Sequence, residues 1–337
     1  MEAKAKVRHV RDWNWDDPDL QVWFDEMANK PDPEWPFDET QAFDLTDAHP
    51  DVSFVSLGNC DCLAGMAEFP DACVDAVVTD PPYGMSINSK AWDKSVPGVP
   101  VWREVLRLLK PGGIMIAASH ARTYHQLATV VELAGFDIMD MLFWNYDQSY
   151  PAGKNLGGQW QSLLKRAHEP WVVARKPLPV VQVPGRRAGK TKAKKLGLQE
   201  TFDTYGTSGL RVVGNGQDGF KWASNSIKAR KPRPEERGLG LNPAKIRSSD
   251  GSRILADQPN NHSTVKPLSL MRRLVRIVGD SGATILDPFA GSGTTGMAAM
   301  AEGMNFIGFE MEAESFDIFQ QRVQFAHQNP GTIPPPD

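Results

Sequence analysis

The sequence predicts an α/β protein built on a mostly parallel sheet, and three observations carry this prediction. Short β-branched or aliphatic runs alternate with helical segments over residues 54–175 and 261–326 of the 337-residue chain, as in buried parallel strands joined by helices. Two runs end in acids, Asp80 and Asp287, at the strand ends where open α/β sheets bind ligands. From about residue 178 the alternation stops, which indicates an inserted module, because long structureless loops are uncommon in compact domains.

The elements are predicted in two groups, one on each side of this insertion. Before it, strands are expected at 54–57, 74–79, 114–118, 136–144 and 171–174, with helices at 101–109 and 122–134. Lys110-Pro111-Gly112-Gly113 is a helix stop that leads into the third strand, and a polar, glycine-rich loop is expected at 145–160. After the insertion, helices are expected at 268–278, 294–301 and 312–326, with strands at 283–286 and 306–309.

These groups divide the chain into five parts. Residues 1–50 form an acidic extension with four of the ten tryptophans, which we expect to pack on the main domain or a second subunit, because disordered tails are poor in aromatics. A partner-binding or DNA-excluding arm is the alternative. Residues 51–177 and 262–328 form the two halves of the α/β domain, with the insertion at 178–261 between them and a proline-rich tail at 329–337.

Composition favours a cytoplasmic protein without a metal. The cysteines, Cys60, Cys62 and Cys73, are too few for a disulfide framework, so a reducing compartment is expected, in a bacterial cell or in the host of a virus. Cys60-x-Cys62 lacks the four ligands of structural zinc, so buried thiols are predicted and no metal site. The chain has no apolar run near membrane-spanning length, and its N-terminus lacks the apolar core of a secretion signal.

Charge is segregated along the chain. The net charge is −4, but residues 178–261 hold 16 basic against 7 acidic groups, a balance of +9, and residues 1–50 hold 5 against 13, a balance of −8. Local field matters more than net charge for attracting a polyanion. Phosphate contacts need Lys and Arg, and Asn or Gln among them could read base edges. The insertion is therefore predicted to be a target-recognition region.

A glycine turn follows the second acid. Gly291-Ser292-Gly293-Thr294-Thr295-Gly296 fits the dinucleotide pattern G-x-G-x-x-G, in which glycines let the backbone approach a ligand. Glu310 ends the next predicted strand, 19 positions after Gly291, where an acid binds ribose hydroxyls. This acid suits NAD and S-adenosylmethionine equally. Asp287 favours the second, because it would repel a pyrophosphate but attract an ammonium, while the helix start at Thr294 can hold the carboxylate of the same amino acid.

The first acid opens the motif Asp80-Pro81-Pro82-Tyr83-Gly84, which suits an exocyclic amino group. The lone pair of that nitrogen is delocalised into the ring, so methylation needs it turned towards the methyl donor. Asp80 can accept one amino hydrogen and the Pro81 carbonyl the other, and the adjacent prolines hold both acceptors nearly fixed. Asp80 would also stabilise positive charge on nitrogen, and Tyr83 offers a stacking face. Alone, the motif would also suit a proline turn.

Asp80-Pro81-Pro82-Tyr83 ahead of Asp287-Pro288-Phe289-Ala290-Gly291-Ser292-Gly293-Thr294 resembles the DNA amino-methyltransferases, in the permuted beta-type motif order. The resemblance implies a Rossmann-like, S-adenosylmethionine-dependent methyltransferase fold with a mostly parallel seven-stranded sheet whose last strand is antiparallel. It implies methyl transfer to a base flipped out of a specific site in duplex DNA. Aspartate at the first catalytic position occurs with N6-adenine and N4-cytosine enzymes, whereas serine would favour cytosine, so adenine is expected.

The resemblance also assigns residues to roles. The 51–177 half is catalytic, through Asp80, Pro81, Pro82 and Tyr83, and the 262–328 half binds the cofactor. His262, Thr264, Lys266 and Pro267 resemble a short motif that helps to hold the methionine end, and Asp61 lies where an acid contacts the cofactor adenine, although Cys60 replaces the usual glycine before it. The remaining cofactor residues are Asp287, Phe289, Gly291, Ser292, Gly293, Thr294 and Glu310.

The expected partners are double-stranded DNA, a second copy of the chain and a cognate restriction enzyme. Rival hypotheses remain at this point: a dinucleotide-dependent oxidoreductase built on the glycine turn, an inactive DNA-binding protein that retains the fold, and a methyltransferase acting on RNA or on protein glutamine. The oxidoreductase leaves Asp80-Pro81-Pro82-Tyr83 unexplained, and the intact motifs argue against an inactive protein. The long basic insertion favours DNA.

Overall fold

The computed structural model of the chain describes residues 51–85, 93–146, 153–184, 191–211, 224–241, 260, 262 and 264–335. The predicted acidic extension at 1–50 lies outside these residues. So do many of the basic and amide side chains of the predicted target-recognition region, namely Arg186, Arg187, Lys190, Asn215, Gln217, Lys221, Asn242, Lys245, Arg247 and Arg253.

The elements follow the predicted alternation. The first half contains β1 (Val55–Gly58), α1 (Cys62–Ala67), β2 (Val74–Thr79), α2 (Val99–Leu108), β3 (Leu109–Ala118), α3 (Tyr124–Leu133), β4 (Asp137–Asn145), β5 (Asn155–Gly157), β6 (Trp160–Gln161) and β7 (His168–Arg175). The middle contains β8 (Val180–Pro184), β9 (Thr191–Lys195), α4 (Leu198–Tyr205), β10 (Ser226–Lys228) and α5 (Pro234–Arg237). The second half contains α6 (Leu268–Val278), β11 (Thr284–Asp287), α7 (Thr294–Ala301), β12 (Asn305–Phe309) and α8 (Ala313–Gln328), then a 3-10 turn at Pro330–Thr332.

One mostly parallel sheet organises these elements. In the described part of the chain its strand order is β1-β12-β11-β2-β3-β7-β4-β10. Strand β7 alone runs antiparallel to its neighbours β3 and β4, and the other pairs are parallel. The predicted mostly parallel sheet is therefore confirmed, but the antiparallel strand is β7 and not the last strand of the sheet in chain order, as predicted. Because β2 and β11 are paired neighbours, the strand ends that carry the two acids lie side by side.

Both faces of this sheet are covered by helices. Ala76 and Val78 of β2 share a core with the apolar faces of α6, α7 and α8. Val77, between them, points to the opposite face and is also fully buried, on the side where α1, α2 and α3 contact one another. Helices on both faces explain why the strands read as continuous apolar runs. In the residues the structure describes, no helix is long and apolar enough to span a membrane.

The structure departs from the sequence prediction in two places. An eighth strand, β10, extends the sheet from the predicted insertion and pairs with β4 through Ile227 and Trp144. Ile227 is buried, but a single apolar residue gives no periodic signal. The region at 145–160, predicted to be a loop, contains β5 and pairs it with β6 in a small hairpin. All five hairpin strand residues are exposed, so no alternation of apolar and polar residues marks them in the sequence.

Candidate active site

A cleft of about 390 Å³ opens where β2 and β11 end. Thr79, the last residue of β2, donates its hydroxyl to Asp287 Oδ1 at 2.6 Å, which ties the two strand ends together. Most of the residues predicted for catalysis or cofactor binding line this one cleft: Asp61, Asp80, Pro81, Pro82, Tyr83, His262, Thr264, Lys266, Asp287, Phe289, Gly291, Ser292, Thr294 and Glu310. Residues 200 positions apart in sequence thus meet as the strand-end argument predicts.

Asp80 is held by two donors at the catalytic end of the cleft. The Tyr83 hydroxyl donates to Asp80 Oδ1 at 2.7 Å and also to Glu169 Oε2 at 3.2 Å. Burial first, then the charges on Asp80 and Glu169, raise the pKa of Tyr83 well above its ordinary value, so its hydroxyl remains a donor. The sequence predicted a stacking face for Tyr83, and the structure adds a hydrogen bond that orients the carboxylate of Asp80.

Lys266 makes contacts in the cleft that the sequence did not predict. The sequence placed it at the methionine end of the cofactor, but its ammonium donates to Asp80 Oδ2 at 2.5 Å and lies 3.6 Å from Glu169 Oε2. Burial lowers the pKa of Lys266, but the charges of Asp80 and Glu169 outweigh burial and raise it above its ordinary value. Lys266 is therefore charged. The start of α6, just after it, aims its side chain across the cleft to the end of β2.

Asp287 is a buried carboxylate with donors of its own. Besides the Thr79 hydroxyl, its Oδ1 accepts the Phe289 N–H at 3.0 Å, and the Thr295 hydroxyl also bonds to it. Burial raises the pKa of Asp287 to about 6 against these stabilising bonds. The group is thus mostly ionised at neutral pH and offers a negative charge to a cation in the cleft.

Glu310 closes the same end of the cleft from β12. Its Oε2 accepts the Gly291 N–H at 2.9 Å and its Oε1 the Glu312 N–H at 2.8 Å. Burial raises the pKa of Glu310 to about 7, although both backbone bonds oppose the shift. Glu310 therefore fixes the glycine turn and keeps a carboxylate at the predicted ribose position.

Replacing Glu310 with glutamine is expected to stabilise the ligand-free protein at alkaline pH. The folded pKa is about 7 against an ordinary 4.5, so ionised Glu310 lowers the free energy of unfolding above pH 7, and this loss is absent below pH 4.5. The variant should therefore exceed wild type by about 1–3 kcal/mol at pH 8.5 and by little at pH 4.5. Denaturant unfolding at both pH values measures this difference. Glu132→Gln, at an exposed site on α3, is the control, and a Glu310→Gln effect independent of pH would contradict the prediction.

The glycine turn has the conformation that the motif requires. Gly291 has φ +54° and Gly293 φ +80°, a region that glycine adopts without strain. Gly293 does not line the cleft: a Cβ there would lie 2.6 Å from the Phe319 ring, so this glycine lets α8 pack against the turn. The structure thus gives Gly293 a packing role, and its predicted role in cofactor binding stays a prediction.

Arg322, which the sequence did not single out, stabilises the glycine turn through hydrogen bonds. Its guanidinium is fully buried and donates to the Ser292 carbonyl at 2.6 Å, to the Ser292 hydroxyl at 3.0 Å and to the Thr294 hydroxyl at 3.3 Å. Burial lowers its pKa to about 10, so it stays charged. Ser292 and Thr294 were predicted to bind the cofactor, and the hydroxyls of both accept hydrogen bonds from Arg322. A basic residue within the helix predicted at 312–326 gave no sign of this burial.

The remaining predicted residues differ in their placement. Asp61 lines the cleft and also caps α1, accepting the Leu63 N–H at 2.9 Å, so the turn-forming and cofactor roles are compatible. His262 lies beside Gly291, and burial lowers its pKa, so it is neutral at pH 7. Pro267 does not line the cleft but precedes α6 as its N-cap. The structure thus gives it a role in starting that helix, and its predicted contact with the cofactor stays a prediction.

The described residues contain no group of three or more His, Cys, Asp and Glu side chains suited to a metal ion. Burial raises the pKa of Cys60 to about 11 and that of Cys62 to about 12. Both side chains are therefore neutral thiols at physiological pH, whereas metals bind thiolates.

The β11–β12 side of the cleft fits S-adenosylmethionine. Asp287 offers a buried negative charge to an ammonium, and Glu310 offers a carboxylate to ribose hydroxyls. The turn at Gly291 exposes backbone where a side chain would obstruct the cleft. A carboxylate at one end and a second acceptor at the other match the ammonium and the ribose hydroxyls of this cofactor.

Comparisons with known proteins agree with this geometry. A family model described as DNA methylase, for N6 and N4 enzymes, matches residues 74–321. The chain is 27% identical over 274 residues to DNA adenine methyltransferase YhdJ of Escherichia coli (strain K12), covering 79% of this chain and 81% of that protein. It is 23% identical over 294 residues to Type II methyltransferase M.HinfI of Haemophilus influenzae, covering 81% of this chain and 69% of that protein.

A solved structure supports the fold alone. The cytosine-N4-specific PvuII DNA methyltransferase superposes with a TM-score of 0.52 at 14% identity, covering 85% of this chain and 95% of its own. The predicted methyltransferase fold and the S-adenosylmethionine cofactor are confirmed. Since the family match spans most of the chain, this protein belongs to the N6/N4 DNA methylase family and is an S-adenosylmethionine-dependent DNA methyltransferase.

Proposed function

We propose that this enzyme transfers the methyl group of S-adenosylmethionine to N6 of adenine within a specific site in duplex DNA. The observation that carries the proposal is Asp80, held at the junction of the catalytic and cofactor parts of one cleft by Tyr83 and Lys266. Aspartate at this position and the name of the adenine methyltransferase YhdJ both support adenine.

The residues of the cleft have separate roles in methyl transfer. When bound, S-adenosylmethionine supplies an electrophilic methyl group. Asp80 accepts one amino hydrogen and the Pro81 carbonyl the other, which draws the nitrogen towards tetrahedral geometry and withdraws its lone pair from the ring so that it points at the methyl group. The two prolines keep both acceptors in place, and the Tyr83 hydroxyl prevents the carboxylate from rotating. Asp80 then stabilises the positive charge that develops on nitrogen, so the reaction is accelerated by orientation and by charge.

We propose that the target base is flipped into the cleft, because an amino group inside a duplex cannot reach Asp80. The β5–β6 hairpin lies at the same edge of the sheet, since it connects the end of β4 to the start of β7. It exposes Trp160 and Leu164, at 76% and 91% of their surface, beside the basic residues Lys165 and Arg166. Exposed aromatic and basic residues together suit contact with bases and phosphates.

We assign sequence recognition to residues 178–261. In the described part, β9 presents Lys192, Lys194 and Lys195 on an exposed strand, although Lys194 is paired with Glu200. Three further basic residues, Arg230, Lys231 and Arg233, follow β10 at the sheet edge nearest the hairpin. A homodimer, a cognate restriction enzyme and a cytoplasmic location remain predictions from the sequence.

N4-cytosine methylation is the second candidate, because the same acceptors suit the amino group of cytosine. The test is incubation of the protein with unmethylated duplex DNA and isotopically methyl-labelled S-adenosylmethionine, followed by digestion and mass spectrometry of the nucleosides. Labelled N6-methyladenine is expected. Labelled N4-methylcytosine would keep the mechanism and change the base, whereas no labelled nucleoside from protein that binds the cofactor would overturn the proposal.

A further inference from the structure

Lys266 lies between two carboxylates in the catalytic part of the cleft. Its ammonium is 2.5 Å from Asp80 Oδ2 and 3.6 Å from Glu169 Oε2, and the Tyr83 hydroxyl bonds to both acids. The exposed side-chain fractions are 6% for Lys266, 19% for Asp80 and 20% for Glu169. The three charges give the network a net charge of −1 in a shielded site.

This arrangement conflicts with the role of Asp80. Each of its oxygens already accepts one hydrogen bond, from Tyr83 or from Lys266, so an incoming amino group has to share an oxygen with one of these two donors. An ammonium binds a carboxylate more strongly than a neutral amine does, so it competes directly with the base. It also cancels the negative charge that should stabilise the methylated nitrogen. We therefore expect methylation to be faster when Lys266 weakens its contact with Asp80.

Glu169 offers the ammonium a second partner close by. The Lys266 nitrogen needs to move by only about 1 Å to come within ordinary ion-pair hydrogen-bond distance of Glu169 Oε2. The exchange keeps the Lys266 ammonium opposite a carboxylate throughout, while Asp80, which loses the ammonium, keeps the Tyr83 hydrogen bond and gains one from the amino group. It also leaves Tyr83 free to stay on Asp80.

We propose that Glu169 is a positioning residue that takes over the Lys266 ammonium when the target base enters, and so frees Asp80 Oδ2 for the amino group. The proposal rests on the proposed function, in that an amino group must bind Asp80. Lys266 then has two states: in the free enzyme it satisfies Asp80, and with the base bound it pairs with Glu169. No proton is transferred in the exchange, because Lys266 remains an ammonium in both states.

Three variants test this exchange. Glu169→Gln keeps the size of the side chain but removes the charge that draws Lys266 away, so the single-turnover methylation rate on saturating DNA should fall by about tenfold to a hundredfold. Lys266→Met removes the competitor but leaves two carboxylates facing each other. The double variant Lys266→Met/Glu169→Gln removes the competitor and keeps the wild-type net charge of −1.

The double variant decides between exchange and a merely structural role. We expect it to methylate at least about tenfold faster than Glu169→Gln alone, because no ammonium then competes for Asp80. A double variant that is as slow as Glu169→Gln, or slower, would overturn the proposal. Glu302→Gln, which weakens a comparably buried ion pair with Arg272 on another face of the protein, is the matched control and should leave the rate unchanged.

Two further measurements distinguish failure of this proposal from failure of the proposed function. Calorimetric titration with S-adenosylmethionine should give wild-type affinity for Glu169→Gln, since the change lies on the catalytic side. The rates are compared on whichever base the wild-type enzyme methylates. Methylation of cytosine would therefore change the proposed function but leave the test of Glu169 and Lys266 intact.

Discussion

Replacing Asp80 with alanine is expected to abolish methyl transfer while S-adenosylmethionine still binds. The substitution removes an acceptor for the amino group and the charge that stabilises the methylated nitrogen, so the single-turnover rate should fall by about a thousandfold or more. Cofactor affinity should change little, because Asp287 and Glu310 lie on neighbouring strands and keep their own hydrogen bonds. Incorporation of labelled methyl groups into DNA measures the first effect, and calorimetric titration measures the second.

A matched pair of isosteric variants sharpens this result. Asp75 lies near the start of β2 and Asp80 directly follows its end, and each pairs with a lysine, Lys110 and Lys266 respectively. Asp80→Asn should lose most of the activity because it is neutral and one of its two terminal atoms is a donor. Asp75→Asn, at the opposite end of the strand, should keep the wild-type rate. If Asp80→Ala lost cofactor binding together with methyl transfer, the carboxylate would have a structural role instead.

The parts of the site that the sequence predicts are those set by local chain geometry. Asp80 and Tyr83 are three residues apart, so the motif itself brings them together. Asp80 and Asp287 are far apart in sequence, but each follows a strand, and neighbouring parallel strands end at one edge. The element pattern was therefore enough to place both acids in one cleft.

The parts that the sequence does not predict depend on long-range side-chain contacts. Lys266 reaches Asp80 across 186 positions, and no periodic pattern specifies where a long flexible side chain ends. Glu169 is the second residue of the antiparallel strand β7, whose partners follow only from the strand order. Arg322 occupies an otherwise unremarkable helix, and a buried arginine can be recognised only from the backbone and hydroxyl acceptors packed around it. Each of these residues contacts a residue that the sequence predicted for the site. Lys266 contacts Asp80, Glu169 contacts Tyr83 and Arg322 contacts Ser292.

The glycine turn gives the second large expected effect: Gly291→Val should weaken S-adenosylmethionine binding by about a hundredfold or more, equivalent to about 2.7 kcal/mol. Gly291 has φ +54°, and a Cβ there would lie 3.2 Å from the His262 ring. A β-branched residue in this conformation is strained by about 1–3 kcal/mol. The turn would shift, and its N–H, which donates to Glu310, would move with it. The substitution thus alters both the space in the cleft and the position of its acid.

Backbone strain by itself would lower stability. To separate this loss from an effect on binding, the control is a glycine elsewhere in the chain that also has a positive φ. Gly282 has φ +81°, and a Cβ there would have only the Asp51 carbonyl oxygen within reach, at 4.0 Å. Gly282→Val should therefore lower the thermal unfolding temperature while calorimetric affinity for the cofactor stays at the wild-type value. Comparable affinities for Gly291→Val and Gly282→Val would show that the close approach of backbone to cofactor does not occur at Gly291. The strain of a positive φ is common to both variants, and only Gly291 lines the cleft. A loss of cofactor affinity confined to Gly291→Val would therefore show that the turn at Gly291 serves binding.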